Sequence, residues 1–420
     1  MYTSLNQIPN PTDEQRHEML RISLENAGRP EDYEYILRLL SPAPDITSIV
    51  SPGELRGVKI GIIGGGLAGM AAAYELEMSL RENFEALGLS QGAISLISGA
   101  DPASGALLSS SYDSVAHEEY SLDYLNTYRI EHGNVYLPLA FYQSFASSNV
   151  PGYGEIPQSL LGNVDFKMGH NVTGIYKSDY RNKVVVKYTN NMENGDSADI
   201  FDYVICTIPF SALRTIEIKP LFSNMKMQAI MELNYIDAMK TLFLCNRRFW
   251  ERNTDYGNIF GGISFTDLPI QSIIYPGDHS NCAKDFNCNT EEPGILVASY
   301  NLTQNSVRLG GMEESARYEV IRQNVEEVHG LPRGFLNSFI DDQKMVHWNN
   351  EPRYRGALAL YLPQQKRLFS YVMGIPEYHG HVYFAGEHVS NKQGWIQGAL
   401  SSAKIAANQL AEHFHNPYSV

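Results

Sequence analysis

Cysteine, positive charge and long apolar runs are all scarce in this chain of 420 residues. Its 4 cysteines are too few for a disulfide scaffold. Cys282 and Cys288 could pair or bind a metal, but their segment has no CxxC spacing, so we predict no metal site. No apolar run approaches the ~20 residues of a membrane span, and the opening residues lack a secretory pattern. We therefore expect a cytoplasmic protein without a membrane span.

Basic residues are outnumbered, with 32 Lys and Arg against 47 Asp and Glu and a net charge of −15. Nucleic-acid binding usually requires a basic surface along the phosphates, so we expect no nucleic-acid partner. The composition, 43% hydrophobic and 19% charged, is typical of a globular protein with large cores. At ~100–200 residues per domain, the length predicts two or three domains.

A glycine motif follows a short apolar, β-branched run at residues 58–63 and precedes a predicted helix at 70–80. This is the context that a dinucleotide-binding fingerprint requires. Gly64 permits the tight turn, Gly66 lets the backbone approach a pyrophosphate, and Gly69 allows close helix packing. The motif alone does not separate FAD from NAD. Its predicted cofactor-binding residues are Gly64, Gly66, Leu67, Ala68 and Gly69.

A second motif lies near the end of the chain, where YFAGEH at 383–388 is followed by GWIQGA at 394–399. A predicted strand delivers Gly386 and Glu387. Gly394 and Trp395 then open a helix whose free amides can bind a phosphate or an electron-rich ring edge. Far downstream of a fingerprint, this motif indicates a flavin.

The hydropathy pattern predicts further elements along the chain. Predicted helices cover residues 30–40, 118–128, 137–145, 312–329 and 398–414. Predicted strands cover residues 164–172, 183–189, 200–208, 294–300 and 381–385, with a hairpin turn at 191–197. The stretch 224–250 changes from helix to strand.

At these residues the chain resembles the flavin-containing amine oxidase family, and within it the bacterial L-amino-acid oxidases. The likeness runs through VKIGIIGGGLAGMAAAYEL, FDYVICTIP, DAMKTLFLCNRRFW, GGISFTDLPI, GILVASY, HVYFAGEH and GWIQGA, which stand in the family's order. Together these segments are far more specific than one glycine motif.

The resemblance implies roles for individual residues. Lys240 corresponds to the lysine that holds a water beside the flavin, and Tyr300 to the tyrosine that binds the substrate carboxylate. Trp348 and Trp395 correspond to aromatic walls of the substrate pocket, which Gly394 also lines. FAD-binding roles are implied for Val172, Gly386, Glu387, Gly394, Trp395 and Ile396. We assign no role to His117, His132 or His347.

The resemblance implies an α/β fold with an incomplete Rossmann-like FAD-binding domain, a mixed-sheet substrate domain and the remnant of a helical domain. We expect an N-terminal arm at 1–57, the first strand, turn and helix at 58–80, the helical remnant at 81–150, the rest of the FAD-binding domain at 151–216 and 378–420, and the substrate domain at 217–377.

Three segments of the family pattern are absent: the second Rossmann strand ending in Glu, a GGR segment, and the arginine that clamps the substrate carboxylate. An internal deletion near residues 76–86 would explain this, and the segment AISLI at 93–97 would then be helical in origin. Losing charge-assisted contacts of ~1.5–3 kcal/mol each would weaken FAD binding. Arg353 and Arg355 are unproven substitutes for the missing arginine.

The resemblance implies oxidation of L-amino acids to imino acids, which become 2-oxo acids and ammonia, with oxygen reduced to hydrogen peroxide. The partners would be FAD, oxygen and a small amino acid or amine, and a homodimer is possible. A mono- or polyamine oxidase is the first alternative, favoured by the missing arginine and opposed by Tyr300. The second is an inactive, non-enzymatic paralogue that lacks part of the FAD site.

Overall fold

The computed structural model describes residues 133–146, 164–179, 183–190, 195–279 and 288–415, with the strand Ile60–Ile63 and a few isolated residues nearer the start. Apart from Tyr33, the predictions for residues 30–40, 64–80, 93–97 and 118–128 lie outside the described residues, as does Cys282.

The described residues form both strands and helices. In chain order, the strands are β1 Ile60–Ile63, β2 His170–Lys177, β3 Val184–Asn190, β4 Asp196–Phe201, β5 Tyr203–Cys206, β6 Glu217–Lys219, β7 Tyr235–Ile236, β8 Ala238–Cys245, β9 Gly262–Phe265, β10 Ser272–Tyr275, β11 Gly294–Leu302, β12 Ile340–His347, β13 Leu358–Ala359 and β14 Val382–Phe384. The α-helices are α1 Tyr136–Ala146, α2 Phe210–Leu213, α3 Asn224–Glu232, α4 Thr303–Gly310, α5 Glu314–Val328, α6 Gln365–Gly374 and α7 Ile396–His415.

The described residues fall into two compact units. The first unit contains β1, residues 133–231 and residues 367–415, and the second contains residues 232–279 and 288–366. Part of the helix α6 belongs to each unit. No α-helix in these ranges is long and apolar enough to cross a membrane.

A parallel three-stranded sheet in the order β1-β5-β14 lies in the first unit. Its strands β5 and β14 are short apolar runs, as expected for parallel strands that are covered on both faces. Ile205 and Tyr383 pack with Ala399, Ala406 and Leu410 of α7, so the terminal helix covers one face of this sheet.

The first unit also holds a four-stranded sheet in the order β4-β3-β2-β6. β2 and β6 are parallel, and the other pairs are antiparallel, so this sheet is mixed. Two strand predictions are corrected here. Residues 164–167 precede β2 as irregular chain. The predicted strand at 200–208 is two strands, because the chain leaves β3 after Phe201 and pairs with β1 from Tyr203.

The second unit is built on a five-stranded sheet in the order β12-β8-β11-β10-β9. Every pairing in this sheet is antiparallel, so the mixed sheet predicted for the substrate domain is wrong for these strands. For β9 and β10 the physical reason is a short connection, which cannot hold the crossover that parallel strands need. α5 covers one face of the sheet through Ile321 and Val325, which belong to a core with Phe243, Phe249 and Trp250.

Candidate functional site

The carboxyl ends of the three parallel strands lie side by side. Ile63 pairs with Cys206, and Cys206 pairs with Phe384, so the strands end in register. The sequence places Gly64 directly after β1 and Gly386 two residues after β14. In open α/β sheets, ligands bind outside the carboxyl ends of the strands. Gly386 therefore lies at the edge of the sheet where β1 also ends.

The turn after β14 is held together by a carboxylate. Glu387 accepts a hydrogen bond at Oε2 from the backbone N–H of Gly394, 2.7 Å away. The backbone N–H of Gly386 donates to Ser402 Oγ at 3.1 Å, which fastens the turn to α7. Gly394 has a φ of 82°, a conformation that favours glycine. The turn thus brings Gly386, Glu387 and Gly394 together at the head of α7.

Trp395 and Ile396 stand at the start of α7, with Trp395 directly before the helix and Ile396 as its first residue. The Trp395 side chain is 39% exposed. A helix start leaves backbone N–H groups without intrahelical acceptors, which favours a negative ligand. These residues lie where the sequence motif predicts a flavin contact, and their roles stay predictions.

Tightly packed groups lie beneath this turn. A Cβ atom on Gly386 would come within 1.9 Å of the His388 ring, so a side chain at residue 386 would displace that ring. His388 is buried, and burial lowers its pKa to about 3, which keeps the imidazole neutral. A larger residue at position 386 would therefore disturb both the turn and the core.

Val172 lies in the first unit, in β2 opposite Tyr188 of β3. The pairing shifts between Val172 and Gly174, which marks a bulge in β2. The resemblance assigns Val172 a backbone contact with the adenine, and a bulge exposes backbone groups that a regular ladder would occupy. That role stays a prediction.

Three predicted site residues of the second unit converge. Lys240 of β8 pairs directly with Tyr300 of β11, so both side chains lie on one face of the sheet. The Lys240 Nζ lies 4.2 Å from the centre of the Tyr300 ring and 5.9 Å from that of Trp348. Trp348 follows β12 directly. The lysine ammonium is therefore flanked by two aromatic rings.

Burial shifts the ionisation of both polar groups in this cluster. It lowers the pKa of Lys240, because the charged ammonium loses hydration. It raises the pKa of Tyr300, which keeps the phenol protonated and able to donate. Within the described part of the chain, Lys240 has no carboxylate partner and the Tyr300 hydroxyl has no hydrogen-bond partner. Both groups are thus free to bind a ligand or a water.

Other predicted residues lie outside this cluster. Gly64, Gly66, Leu67, Ala68 and Gly69 fall outside the described residues. Arg353 and Arg355 are exposed. Across residues 133–415, apart from the gaps given above, no group of three or more His, Cys, Asp or Glu side chains could hold a metal ion.

Two polar groups with no assigned role lie in the interior of the units, His347 partly buried and Lys226 fully buried. His347 received no role, yet its ring Nε2 donates to Asp237 Oδ1 at 2.7 Å beside Trp348. Lys226 of α3 is fully buried, and its Nζ donates to the carbonyl oxygens of Met373 and Ile375, each at 2.8 Å. No local pattern marks either residue, since both contacts join distant parts of the chain.

Among the described residues, the first unit carries a parallel sheet with a glycine turn after β14, and the second carries an antiparallel sheet on which Lys240 lies beside two aromatic rings. The comparison with known families identifies the class of protein. The model of the family "Flavin containing amine oxidoreductase" matches residues 81–411. The chain belongs to this family, as the resemblance predicted.

Several relatives are amino-acid oxidases. The chain is 32% identical over 272 residues to the flavin-dependent L-tryptophan oxidase RebO of Lentzea aerocolonigenes, covering 62% of this chain and 51% of that protein. It is 26% identical over 261 residues to an L-amino-acid oxidase of Vipera ammodytes ammodytes, covering 62% and 50%. The chain thus spans about half the length of the curated relatives it matches.

A solved structure agrees with the fold. The cyclohexylamine oxidase from Brevibacterium oxydans IH-35A matches with a TM-score of 0.50 at 13% identity, over 81% of this chain and 69% of that one. At this identity the likeness concerns the fold alone.

The described residues fit the cofactor that family membership implies. FAD is the cofactor of this family, which confirms the cofactor prediction. Gly386 leaves no room for a side chain, Gly394 has a φ that favours glycine, and α7 begins two residues after Gly394. The donors and the backbone geometry are therefore compatible with a flavin.

Proposed function

We propose that this protein oxidises L-amino acids with FAD, giving imino acids that hydrolyse to 2-oxo acids and ammonia, while oxygen becomes hydrogen peroxide. The observation that carries the proposal is the Lys240 ammonium held against the rings of Tyr300 and Trp348. When bound, FAD supplies the redox chemistry by accepting the substrate's hydride and passing electrons to oxygen.

Lys240 would hold a water through its Nζ, because a partly buried ammonium without a carboxylate partner retains donors for a ligand. Tyr300 would donate its hydroxyl hydrogen to the substrate carboxylate. The Trp348 ring would exclude water and shape the pocket, as large aromatic walls do in small-molecule sites. These three roles need only side chains that the second unit already brings together.

In the first unit, Glu387 would bind the ribityl hydroxyls with an oxygen of its carboxylate. The Gly64–Gly69 segment and the start of α7 would hold the pyrophosphate and the ring edge. Val172 would meet the adenine through its backbone. Trp395 would offer a partly exposed ring to the bound ligand. The two glycine motifs would then serve one cofactor.

Within this function, the substrate class depends on which groups bind the substrate carboxylate. We propose that the chain lacks the family's GGR segment, second Rossmann strand and carboxylate-binding arginine through an internal deletion near residues 76–86. Without that arginine, Tyr300 would carry more of the carboxylate recognition. An amine oxidase acting on mono- or polyamines is the competing enzyme, and an inactive paralogue is the competing non-enzyme.

The first experiment separates these functions. The purified full chain is incubated with FAD, desalted and examined by visible absorption, and peroxide formation is then followed with L-leucine, L-phenylalanine, D-phenylalanine and spermidine. We expect retained flavin bands and peroxide with the L-amino acids only. Faster oxidation of spermidine would make the protein an amine oxidase, and a folded, colourless protein would make it an inactive paralogue.

A substitution at the lysine tests the mechanism. Lys240→Met keeps the length of the side chain but removes the ammonium that would hold the water. We expect turnover to fall by roughly 100-fold or more, a loss as large as that from removing a general acid or base. The matched control is Lys344→Met, an exposed lysine on β12 of the same sheet. Equal turnover in the two variants would remove Lys240 from the mechanism.

A further inference from the structure

A partly buried polar pair lies at the ends of two neighbouring strands in the second unit. Asp237 directly precedes β8, and His347 is the last residue of β12. The ring Nε2 of His347 donates to Asp237 Oδ1 at 2.7 Å, and the Ser306 hydroxyl of α4 donates to the same oxygen, also at 2.7 Å. One carboxylate oxygen therefore ties β8, β12 and α4 together.

This network is enclosed. The side chains of His347 and Asp237 are only 9% and 12% exposed. The ring Nδ1 of His347 is buried without a hydrogen-bond partner among the described residues. Gly310 of α4 lies against the ring, so that a Cβ atom there would come within 2.5 Å of His347 Cε1. The ring is thus fixed from one side by packing and from the other by the Asp237 hydrogen bond.

The pair lies on the opposite face of the sheet from Lys240. His347 pairs with Met239, whereas Lys240 pairs with Val346 and with Tyr300. Because successive side chains point to opposite faces of a strand, His347 and Met239 face the core, and Lys240 and Tyr300 share the other face. Trp348 follows His347 directly, so the backbone that carries the Trp348 ring is anchored next to the His347 hydrogen bond.

We propose that Asp237 and His347 form a positioning pair that fixes Lys240 and Trp348 relative to each other. The inference rests on the proposed function for what the positioned groups do, but not for the positioning itself. A carboxylate hydrogen bond in a buried setting is directional, so it restrains the register and the separation of the two strand ends. Without it, the start of β8 and the end of β12 would separate, and the rings would cover Lys240 less.

The test measures how fast the Lys240 amine reacts, and it needs no flavin. The full chain is treated briefly with acetic anhydride, and acetylation of Lys240 is quantified by peptide mass spectrometry relative to the exposed Lys344 of β12. For His347→Leu we expect Lys240 to react several-fold faster than in the wild type. His347→Gln, whose amide can still donate to Asp237, should restore the rate towards that of the wild type.

His329→Leu is the matched control, since His329 is another buried histidine of this unit, bonded to the Tyr275 hydroxyl at 2.9 Å and the Tyr256 carbonyl at 2.8 Å. It should leave the Lys240 rate unchanged. Should His347→Leu not fold, Ser306→Ala removes only one of the two bonds to Asp237 and should raise the rate less. Equal rates in the His347 and His329 variants, or no change at Lys240 in a folded variant, would overturn the proposal.

Turnover measurements provide a second test, which is independent of the acetylation result. If the protein oxidises L-phenylalanine, His347→Leu should lower kcat more than it raises KM, because FAD and substrate still bind while Lys240 is misplaced. If the protein retains no flavin, the proposed function fails, but the acetylation result still decides whether the pair positions Lys240.

Discussion

Burial beside aromatic rings changes what Lys240 and Tyr300 can do. An exposed lysine would hold its proton and exchange water freely, whereas Lys240 is partly buried and its pKa is lowered. The Tyr300 hydroxyl stays protonated because burial raises its pKa. A partly buried donor without a partner in the described chain keeps its hydrogen bond for a ligand, which is the property expected of a recognition group.

Substitution of the tyrosine distinguishes carboxylate recognition from packing. Tyr300→Phe keeps the ring against Lys240 and removes only the hydroxyl. We expect kcat/KM for L-phenylalanine to fall roughly 10- to 100-fold, the range for a hydrogen bond to a charged group. The value for phenethylamine, which lacks the carboxylate, should change much less, and steady-state kinetics with both substrates measure the ratio.

Tyr275→Phe is the control for this experiment, since Tyr275 lies in the same sheet and hydrogen-bonds Ser264 and His329 at 2.9 Å. Tyr275→Phe should change kcat/KM by the same factor for both substrates. If Tyr300→Phe lowers kcat/KM by the same factor for both substrates, the hydroxyl does not recognise the carboxylate.

At the scale of elements, α3 is joined to the chain after α6 by buried polar contacts. Ser223, just before α3, donates its N–H and hydroxyl to the Glu377 carboxylate at 3.0 and 2.6 Å. Lys226 donates to two carbonyls there and lies 3.8 Å from the centre of the Phe384 ring. Burial lowers the pKa of Lys226 to about 7. We therefore expect the attachment of this helix to depend on pH.

The Lys226→Met variant tests that dependence. Between pH 7 and the ordinary lysine pKa, the unfolded chain binds a proton that the folded chain does not, so raising the pH favours the folded wild type. From pH 7 to pH 9 we expect the wild type to gain up to about 2 kcal/mol in free energy of unfolding relative to the variant. Below pH 7 the difference should level off.

Urea denaturation at pH 6, 7, 8 and 9 measures this difference. Lys344→Met, at an exposed position, should track the wild type at every pH. A constant difference between Lys226→Met and the wild type across the series would mean that Lys226 stays charged in the fold.

At the scale of the whole molecule, the net charge of −15 gives no general attraction for anionic ligands. Binding of an anionic dinucleotide must then depend on local donors, such as the amides at the start of α7 and the glycine turns. Since the chain spans about half the length of its curated relatives, retention of FAD is the property that decides between an oxidase and an inactive paralogue.

Thermal denaturation with and without FAD measures that property. A ligand that binds only the folded state stabilises it by about 2.7 kcal/mol at 100 times its Kd, so we expect FAD to raise the Tm of the full chain. Glu387→Gln should shrink the FAD-dependent rise, because it weakens the carboxylate that meets Gly394. Glu313→Gln, which alters the cap of α5, should change the starting Tm but not the rise. An unchanged Tm for the wild type at saturating FAD would contradict FAD binding.

Local patterns predicted much of the fold. The apolar runs at 294–300 and 381–385 and the periodic stretch at 312–329 agree with β11, β14 and α5, because strand and helix periodicity are properties of short segments. The boundary between β4 and β5 could not be predicted in this way. Both strands are apolar in part, and only their different partners, β3 and β1, divide them.

The sequence by itself determined the family, the FAD cofactor and the candidate side chains Lys240, Tyr300 and Trp348. Each motif is a short contiguous segment, so the motifs and their order can be recognised without the tertiary structure. Tertiary structure decided how those side chains meet. The register of β8 against β11 and β12, and the bond between Asp237 and His347 across 110 residues, depend on which apolar faces are buried together. That burial is a property of the whole unit, and no local segment encodes it.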